Sequence, residues 1–104
     1  MKVRVPRKIK MGIYTYSLSL TPHIHCDEAR YANCNHRTQE IEIWSEAPPS
    51  MRYESLIHEV LHIAEVSHRI DVSDADIDRI AHTIAELFKE NLGIEFDWSE
   101  IDER

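Results

Sequence analysis

The first half of the chain alternates apolar and polar residues in a way that predicts β-strands. The alternation runs through residues 9–21, which also carry aromatic and β-branched side chains, and it returns in residues 39–44. A period of two residues with these side chains is typical of half-buried strands. We expect the first strand to be long, or bent at Gly12. A short strand over residues 29–34, followed by a turn at 35–38, completes this half.

The second half changes to the spacing of helices. Pro48 and Pro49 interrupt the pattern, because proline continues neither a strand nor the interior of a helix. From residue 51 to about residue 68, apolar residues recur at steps of three and four, which predicts a buried helix with Ser50 as a candidate N-cap. A second, clearly amphipathic helix is predicted to end near residue 91.

Local signals bound the second helix. Ser73 and Asp76 have the spacing of a capping box, and Gly93 is placed to end the helix. Strands first and helices afterwards predict an α+β domain, with the helices on one face of a small, mostly antiparallel sheet of three or four strands. The predicted organisation is a single domain, 1–104, comprising a sheet region at 1–49, two helices at 50–92 and an acidic tail at 93–104. Residues 94–104 are expected to form either a short edge strand or a tail.

Composition excludes several classes of function. At 104 residues the chain has room for one core, and no apolar run approaches the roughly 18 residues of a membrane span. The basic start leads into no apolar signal core, so we expect a cytoplasmic protein. The net charge of −7 argues against nucleic acid as the main partner, because binding phosphates needs a basic face. We expect the basic start to be a solvated strand or to pair with the acidic end.

The helix over residues 51–68 contains an HExxH motif. His58 and His62 are four residues apart, so on a helix they present their imidazoles from the same face to one ion. Nitrogen ligands suit zinc. Glu59 borders that face and is placed to act as general base toward a water molecule activated by the metal. The motif indicates the chemistry of a zinc peptidase.

A catalytic zinc ion needs a third protein ligand and an open position. His68 has the spacing of the third histidine of metzincins, but Glu65 stands where that motif has a flexible glycine. Asp74 continues the apolar stripe of the second helix, which points its carboxylate toward the packed face. Asp78 and His82 lie on a flanking face that we expect to be solvated. The residues alone leave these alternatives open.

Residues 39–93 resemble the small single-domain zincins of the minigluzincin type and the short metallopeptidase-like proteins of bacteriophages and prophages. In these families a strand ends shortly before an HExxH helix, and a second helix brings a carboxylate ligand. The resemblance implies a zincin-like fold, His58 and His62 as zinc ligands, and Glu59 as the base. Asp74 falls at the third-ligand position, where this chain has Asp instead of Glu.

The resemblance also implies a substrate and a form of control. Zincins offer the edge of a strand to an extended peptide, and here residues 39–44 or 29–34 are the candidates. Some members are latent because a tail or insertion obstructs the cleft, and the acidic tail is placed to do the same. A peptide or protein substrate and a phage or mobile-element origin follow as expectations.

A second cluster of metal-type ligands precedes the motif. Cys and His side chains at this density suggest a structural zinc site, although their spacing fits no zinc-finger pattern. A disulfide is disfavoured by the expected reducing compartment. The members of this cluster are His23, His25, Cys26, Cys34 and His36.

Three functions compete at this point. The first is a zinc-dependent metallopeptidase that hydrolyses peptide bonds. The second is a non-catalytic or latent adaptor on a zincin scaffold, which binds zinc and a partner without cleaving it. The third is a histidine-triad RNA hydrolase using His58, His62 and His68, which the acidic charge and the presence of Glu59 disfavour.

Overall fold

A four-stranded sheet and two helices dominate the computed structural model, which describes residues 1–22 and 32–103. The elements in chain order are β1 (Lys2–Arg4), β2 (Lys8–Met11), β3 (Tyr14–Thr21), β4 (Ala32–Asn35), β5 (Glu40–Trp44), α1 (Pro49–His68), α2 (Asp74–Glu86) and β6 (Glu95–Asp97). A π-helical turn, Leu87–Asn91, continues α2. The α+β class is confirmed.

The sheet has the order β2-β3-β5-β4 and is mixed. Strands β2 and β3 are antiparallel, β3 and β5 are parallel, and β5 and β4 are antiparallel. The predicted long strand at 9–21 is therefore a hairpin, since the chain reverses at Gly12 and Ile13 between paired Met11 and Tyr14. Strand β5 is paired on both sides, whereas β4 forms an edge of the sheet as far as residues 1–22 and 32–103 show.

The acidic end of the chain is built into the fold. Strand β6 pairs in parallel with β1, and the backbone N–H of Leu20 in β3 donates to the carbonyl of Asp102 at 2.9 Å. Ile101 is buried in the core, and the Glu100 carboxylate pairs with nearby arginines of the N-terminal segment. The expected pairing between the two oppositely charged ends is confirmed, but the acidic end is not a loose tail.

Helix α1 begins two residues earlier than expected. Its N-cap is Pro48, and Pro49 occupies the first turn, where the missing N–H of proline costs no intrahelical hydrogen bond. Ser50 lies inside the helix, so its prediction as N-cap is wrong. The helix ends at His68, and the left-handed backbone of its C-cap Arg69 lets the N–H of Ile70 also donate to the Glu65 carbonyl, at 3.0 Å.

Two apolar clusters hold α1 in place. One side of the helix contributes Leu56 and Ile63 to the core beneath the sheet, and the adjacent side packs Tyr53 and Ile57 against Ala81 of α2. The sheet cluster also contains Val5, Tyr16, Leu18, Leu20, Ala32, Ile41, Ile43 and Ile101. Fixed on two sides, the helix holds its remaining face over the edge strand β4.

The boundaries of α2 follow the sequence signals. The Ser73 hydroxyl accepts a hydrogen bond from the Asp76 backbone N–H at 3.2 Å, which confirms the N-terminal cap. Gly93, with φ +64°, follows the π-helical turn and allows the chain to leave the helix in a left-handed conformation. The cap at Ser73 fixes the first turn of α2, where Asp74 lies.

The hairpin turn at Gly12 docks on the end of α1, which gives a stability prediction. A methyl group on Gly12 would lie 2.5 Å from the Ser67 hydroxyl oxygen, which donates to the Met11 carbonyl. Gly12→Ala should cost about 1–2 kcal/mol for the positive φ and about 1 kcal/mol more for the lost hydrogen bond.

Gly93→Ala is the matched control, because Gly93 also has positive φ but no atom lies within 4 Å of its added methyl. Urea denaturation compares the free energies of unfolding. Equal losses in the two variants would show that Ser67 moves aside without cost.

Candidate metal centre

A cavity of about 410 Å³ opens between β4, α1 and the start of α2. Both histidines and the glutamate of the HExxH motif line it, as do two aspartates of α2 and the strand and turn of β4. The lining residues are Ala32, Asn33, Cys34, His36, His58, Glu59, His62, Asp74 and Asp78. The cavity therefore collects most of the chemically reactive side chains that the sequence singled out.

His58 and His62 converge on one point of the cavity. Successive turns of α1 place them on the same face, and their Nε2 atoms lie 2.9 Å apart. Their rings meet nearly edge to face, with centroids 4.6 Å apart. Two ligands of one tetrahedral zinc ion, each about 2.0–2.1 Å from the metal, also have nitrogens only slightly more than 3 Å apart.

Carboxylates hold the other nitrogen of each ring. The Nδ1 atom of His58 lies 2.8 Å from the Asp78 carboxylate, and that of His62 lies 2.8 Å from the Glu65 carboxylate. Because an ionised carboxylate only accepts hydrogen bonds, each ring keeps its proton on Nδ1. In the neutral rings both Nε2 lone pairs then face each other. A cation between them relieves this repulsion, and such carboxylate–histidine pairs accompany metal sites.

The surroundings favour the neutral form of His58. Burial lowers the pKa of His58, and the neighbouring His62 lowers it further, while the charges of Asp78, Asp74 and Glu54 act in the opposite direction. Neutral imidazole is the form that binds metals. The site thus presents unprotonated nitrogen near neutral pH.

Asp74 lies on the cavity wall at the first turn of α2. It is exposed and therefore not part of the packed core, although it lines the cavity together with the histidines of α1. Asp78, one turn further on, reaches His58, and residues four apart share a helix face. Within residues 1–22 and 32–103, no three His, Cys, Asp or Glu side chains are already gathered to hold a metal. Asp74 therefore borders the two histidines without closing a three-ligand set.

Glu59 is buried and faces the same cavity. Its side chain is only 6% exposed although it carries a carboxylate. On the opposite wall, burial and then the negative charge of Glu59 raise the pKa of the Cys34 thiol to about 12. The electrostatic effect shows that strand β4 and the motif helix approach each other across the cavity. A buried carboxylate of this kind is suited to proton transfer.

The remaining candidates are placed elsewhere. His68 is the exposed last residue of α1, about 9 Å along the helix axis from His62, and it does not line the cavity. His82 lies 3.2 Å from Glu54 in a separate groove between the helices. Of the second cluster, His23, His25 and Cys26 lie outside the described residues.

The sequence prediction did not assign several groups that shape the site. Asp78 is solvated as expected, with its side chain 69% exposed, and its carboxylate nevertheless holds His58. Glu65 was considered only as an obstacle to a metzincin-like turn, yet its carboxylate holds His62. The spacing of Glu65, three residues after His62, could have indicated this contact. The remaining members of the second cluster, Cys34 and His36, line the motif cavity. Nothing in the local pattern could have placed them there, because β4 and α1 meet only in the folded chain.

The contact between Asp78 and His58 gives a pH prediction for the metal-free protein. The Asp78 charge raises the pKa of His58 against the effect of burial, so Asp78→Asn should move this pKa further below its ordinary value. Titration of the histidine ring signals by NMR measures the change.

Asp76→Asn is the control, because Asp76 lies on the same helix and pairs with Arg79 instead. An unchanged or higher His58 pKa in Asp78→Asn would show that the two side chains are not coupled in solution.

None of the helices within the described ranges is long and apolar enough to cross a membrane. Comparisons of the chain with protein-family models, with curated proteins and with solved structures find no match.

Proposed function

We propose that this chain is a zinc-dependent metallopeptidase with a zincin-like fold. The observation that carries the proposal is the paired arrangement of His58 and His62, whose Nε2 atoms lie 2.9 Å apart while carboxylates hold both Nδ1 atoms. A buried glutamate of the same helix faces this pair. An HExxH helix with these features is suited to hold a metal and to move a proton beside it.

The donor set fits zinc. Two imidazole nitrogens and one carboxylate form a ligand set of catalytic zinc sites, which leave a fourth position open. Asp74 is the proposed third ligand, since it lines the cavity one helical turn before the aspartate that holds His58. Aspartate is one methylene shorter than the glutamate of the resembling families. Rotation of the Asp74 side chain toward the histidines would accompany binding.

The residues around the proposed metal position have different roles in peptide hydrolysis. A bound zinc ion supplies a Lewis acid that polarises the peptide carbonyl and lowers the pKa of water. Glu59 accepts a proton from the attacking water and passes it to the amine nitrogen as the C–N bond breaks. Asp78 and Glu65 keep the two imidazoles oriented, because each accepts a ring N–H.

Strand β4 is the proposed binding edge for the peptide. It lies at the border of the sheet, and three of its four residues, Ala32 to Cys34, line the cavity. An edge strand leaves backbone N–H and C=O groups available for an extended partner. The alternative assignment of this role to residues 39–44 is wrong, because β5 is paired with β3 on one side and β4 on the other.

A non-catalytic, zincin-like adaptor is the second candidate. It would also have to complete its ligand set on binding zinc, because no three-ligand group is already gathered in the part of the chain described by the structure. Closure of the cleft by the acidic end has no support, since residues 93–103 pair with β1 and β3 and none of them lines the cavity. An adaptor would bind zinc and cleave nothing.

A hydrolysis assay of a Glu59 variant distinguishes the metallopeptidase from the non-catalytic adaptor. Glu59→Gln keeps the shape of the side chain but removes the base, so the variant should bind zinc fully and lose roughly 10²–10⁴-fold in rate. Cleavage of fluorescein-labelled casein measures activity, and elemental analysis measures zinc.

Glu86→Gln on the exposed face of α2 is the control and should behave as the wild type. Glu59→Gln cleaving casein at the wild-type rate would remove Glu59 from the mechanism, and a zinc-loaded but inert wild type would favour the adaptor.

Zinc affinity tests the third ligand. Asp74→Ala should weaken zinc binding by about 100-fold or more, beyond the effect of a residue that only orients a ligand. Competition with a chromogenic chelator measures the dissociation constant. Asp76→Ala removes a neighbouring carboxylate that is paired with Arg79 and should leave zinc affinity unchanged. Full affinity in Asp74→Ala would assign the third ligand to another residue.

A further inference from the structure

His36 lies on the cavity wall that faces the HExxH helix. It follows the last residue of β4, and its side chain lines the same cavity as His58, Glu59 and His62. We propose that His36 is a further catalytic residue, whose Nε2–H donates a hydrogen bond to the scissile carbonyl oxygen as negative charge develops there. This inference rests on the proposed peptidase function and adds a group that acts on the substrate from the strand side.

The position of His36 suits such a role. It directly follows β4, the strand that packs against the motif helix α1, and it lines the cavity between the two elements. It is nevertheless not gathered with His58 and His62 into a three-ligand metal group. A peptide lying along β4 would pass between this ring and the motif helix, so its carbonyl could contact both.

A buried tyrosine fixes the tautomer of His36. The Tyr16 hydroxyl lies 2.7 Å from Nδ1 of His36, and Tyr16 itself is only 1% exposed. Burial raises the pKa of Tyr16 and lowers that of His36, so the phenol keeps its proton and the imidazole is neutral. A neutral imidazole nitrogen is a better acceptor than a phenolic oxygen, so we assign Tyr16 as the donor. The ring proton of His36 then lies on Nε2.

Two further contacts hold the ring in place. Tyr16 and His36 meet edge to face, with centroids 5.8 Å apart and an interplanar angle of 84°. The Asn35 side-chain oxygen accepts hydrogen bonds from the backbone N–H groups of Arg37 and Thr38 at 3.0 and 3.2 Å. This Asx turn fixes the backbone on both sides of His36. The donor is therefore preorganised, which is what makes an oxyanion donor effective.

The step balances without any additional reactant. As the water oxygen bonds to the carbonyl carbon, the π pair of the C=O bond moves onto oxygen, and the Nε2–H of His36 stabilises that charge without transferring its proton. Glu59 carries the proton lost by water to the amine nitrogen, and the C–N bond breaks. Peptide and water yield a carboxylic acid and an amine, and His36 returns unchanged.

Cys34 is not an alternative nucleophile on this wall. Its sulfur lies 3.8 Å from Nδ1 of His36, a geometry that could suggest a thiol–imidazole pair. The pKa of the thiol is raised to about 12, and Nδ1 already has the Tyr16 hydroxyl as a closer partner. The thiol therefore stays protonated at neutral pH, and the reactive group on the wall is the histidine.

Kinetics of zinc-loaded variants test the proposal. His36→Ala should lower kcat for a fluorogenic peptide, chosen from those that the wild type cleaves, by about 10²–10³-fold. KM and zinc content should stay near the wild-type values. His36→Gln keeps a side-chain N–H donor and should recover part of the loss. Tyr16→Phe should give a smaller loss, because Tyr16 acts only by positioning the ring. His82→Ala, a histidine outside the cavity, should match the wild type.

A second measurement, which does not depend on enzymatic activity, tests the tautomer of His36. Nitrogen-15 NMR of the histidine rings distinguishes a protonated from an unprotonated ring nitrogen. His36 should carry its proton on Nε2 in the wild type, and Tyr16→Phe should shift the ring toward a mixture of tautomers. A His36 ring protonated on Nδ1 in the wild type would overturn the proposal.

The kinetic results distinguish a failure of the role of His36 from a failure of the proposed peptidase function. Wild-type kcat in His36→Ala overturns the role of His36 and leaves the peptidase function standing. Loss of zinc in His36→Ala, with a parallel loss in His36→Gln, makes His36 a ligand and also overturns the proposal. An inert wild type that is fully zinc-loaded overturns the proposed function, and the role of His36 with it.

Discussion

Two hydrogen bonds between carboxylates and imidazoles determine what the cavity can do. Asp78 and Glu65 each accept the Nδ1 proton of one histidine, so the Nε2 lone pairs of His58 and His62 turn toward the same point. Without these carboxylates, the rings could donate to each other or turn to solvent. With them, the geometry favours a cation between the two Nε2 atoms. The proposals for zinc, Glu59 and His36 all depend on this cation position.

The packing of the two helices on each other and on the sheet maintains this arrangement. Asp78 reaches His58 only because α2 packs closely on α1, and fully buried Ala81 allows that approach. On its other side, α1 is anchored to the sheet through Leu56 and Ile63, which sets its distance from the edge strand β4. The apolar contacts that stabilise the domain therefore also determine the spacing between the two walls of the cavity. The polar site occupies the seam where the sheet and the two helices meet.

Strong periodicity made β5, α1 and α2 predictable, because each buries one continuous face. Gly12 indicated a bend, but the full reversal of the hairpin was not predicted, since the alternation continues through the two-residue turn. Strand β6 is three residues long and gains its stability from pairing with β1, a contact across almost the whole chain. Pairings of that kind depend on tertiary structure and not on local preference.

The same distinction between local pattern and tertiary contact applies to the residues of the site. His58, Glu59 and His62 could be predicted because their geometry is that of one helix. The neighbourhood of Asp74 could be placed by resemblance, but its exposure could not, since it depends on how α2 docks. The contact between Tyr16 and His36 joins residues twenty apart on different elements. No motif covers it, and only the folded sheet brings the two side chains together.

The central claim is that His58 and His62 jointly hold a zinc ion. X-ray absorption at the zinc edge of the zinc-loaded protein tests it most directly, because it reports the identity and distance of the coordinating atoms. We expect a coordination number of about four, with at least two imidazole nitrogens at about 2.0–2.1 Å and no sulfur. A shell dominated by sulfur, or one made of six oxygens without imidazole, would contradict it.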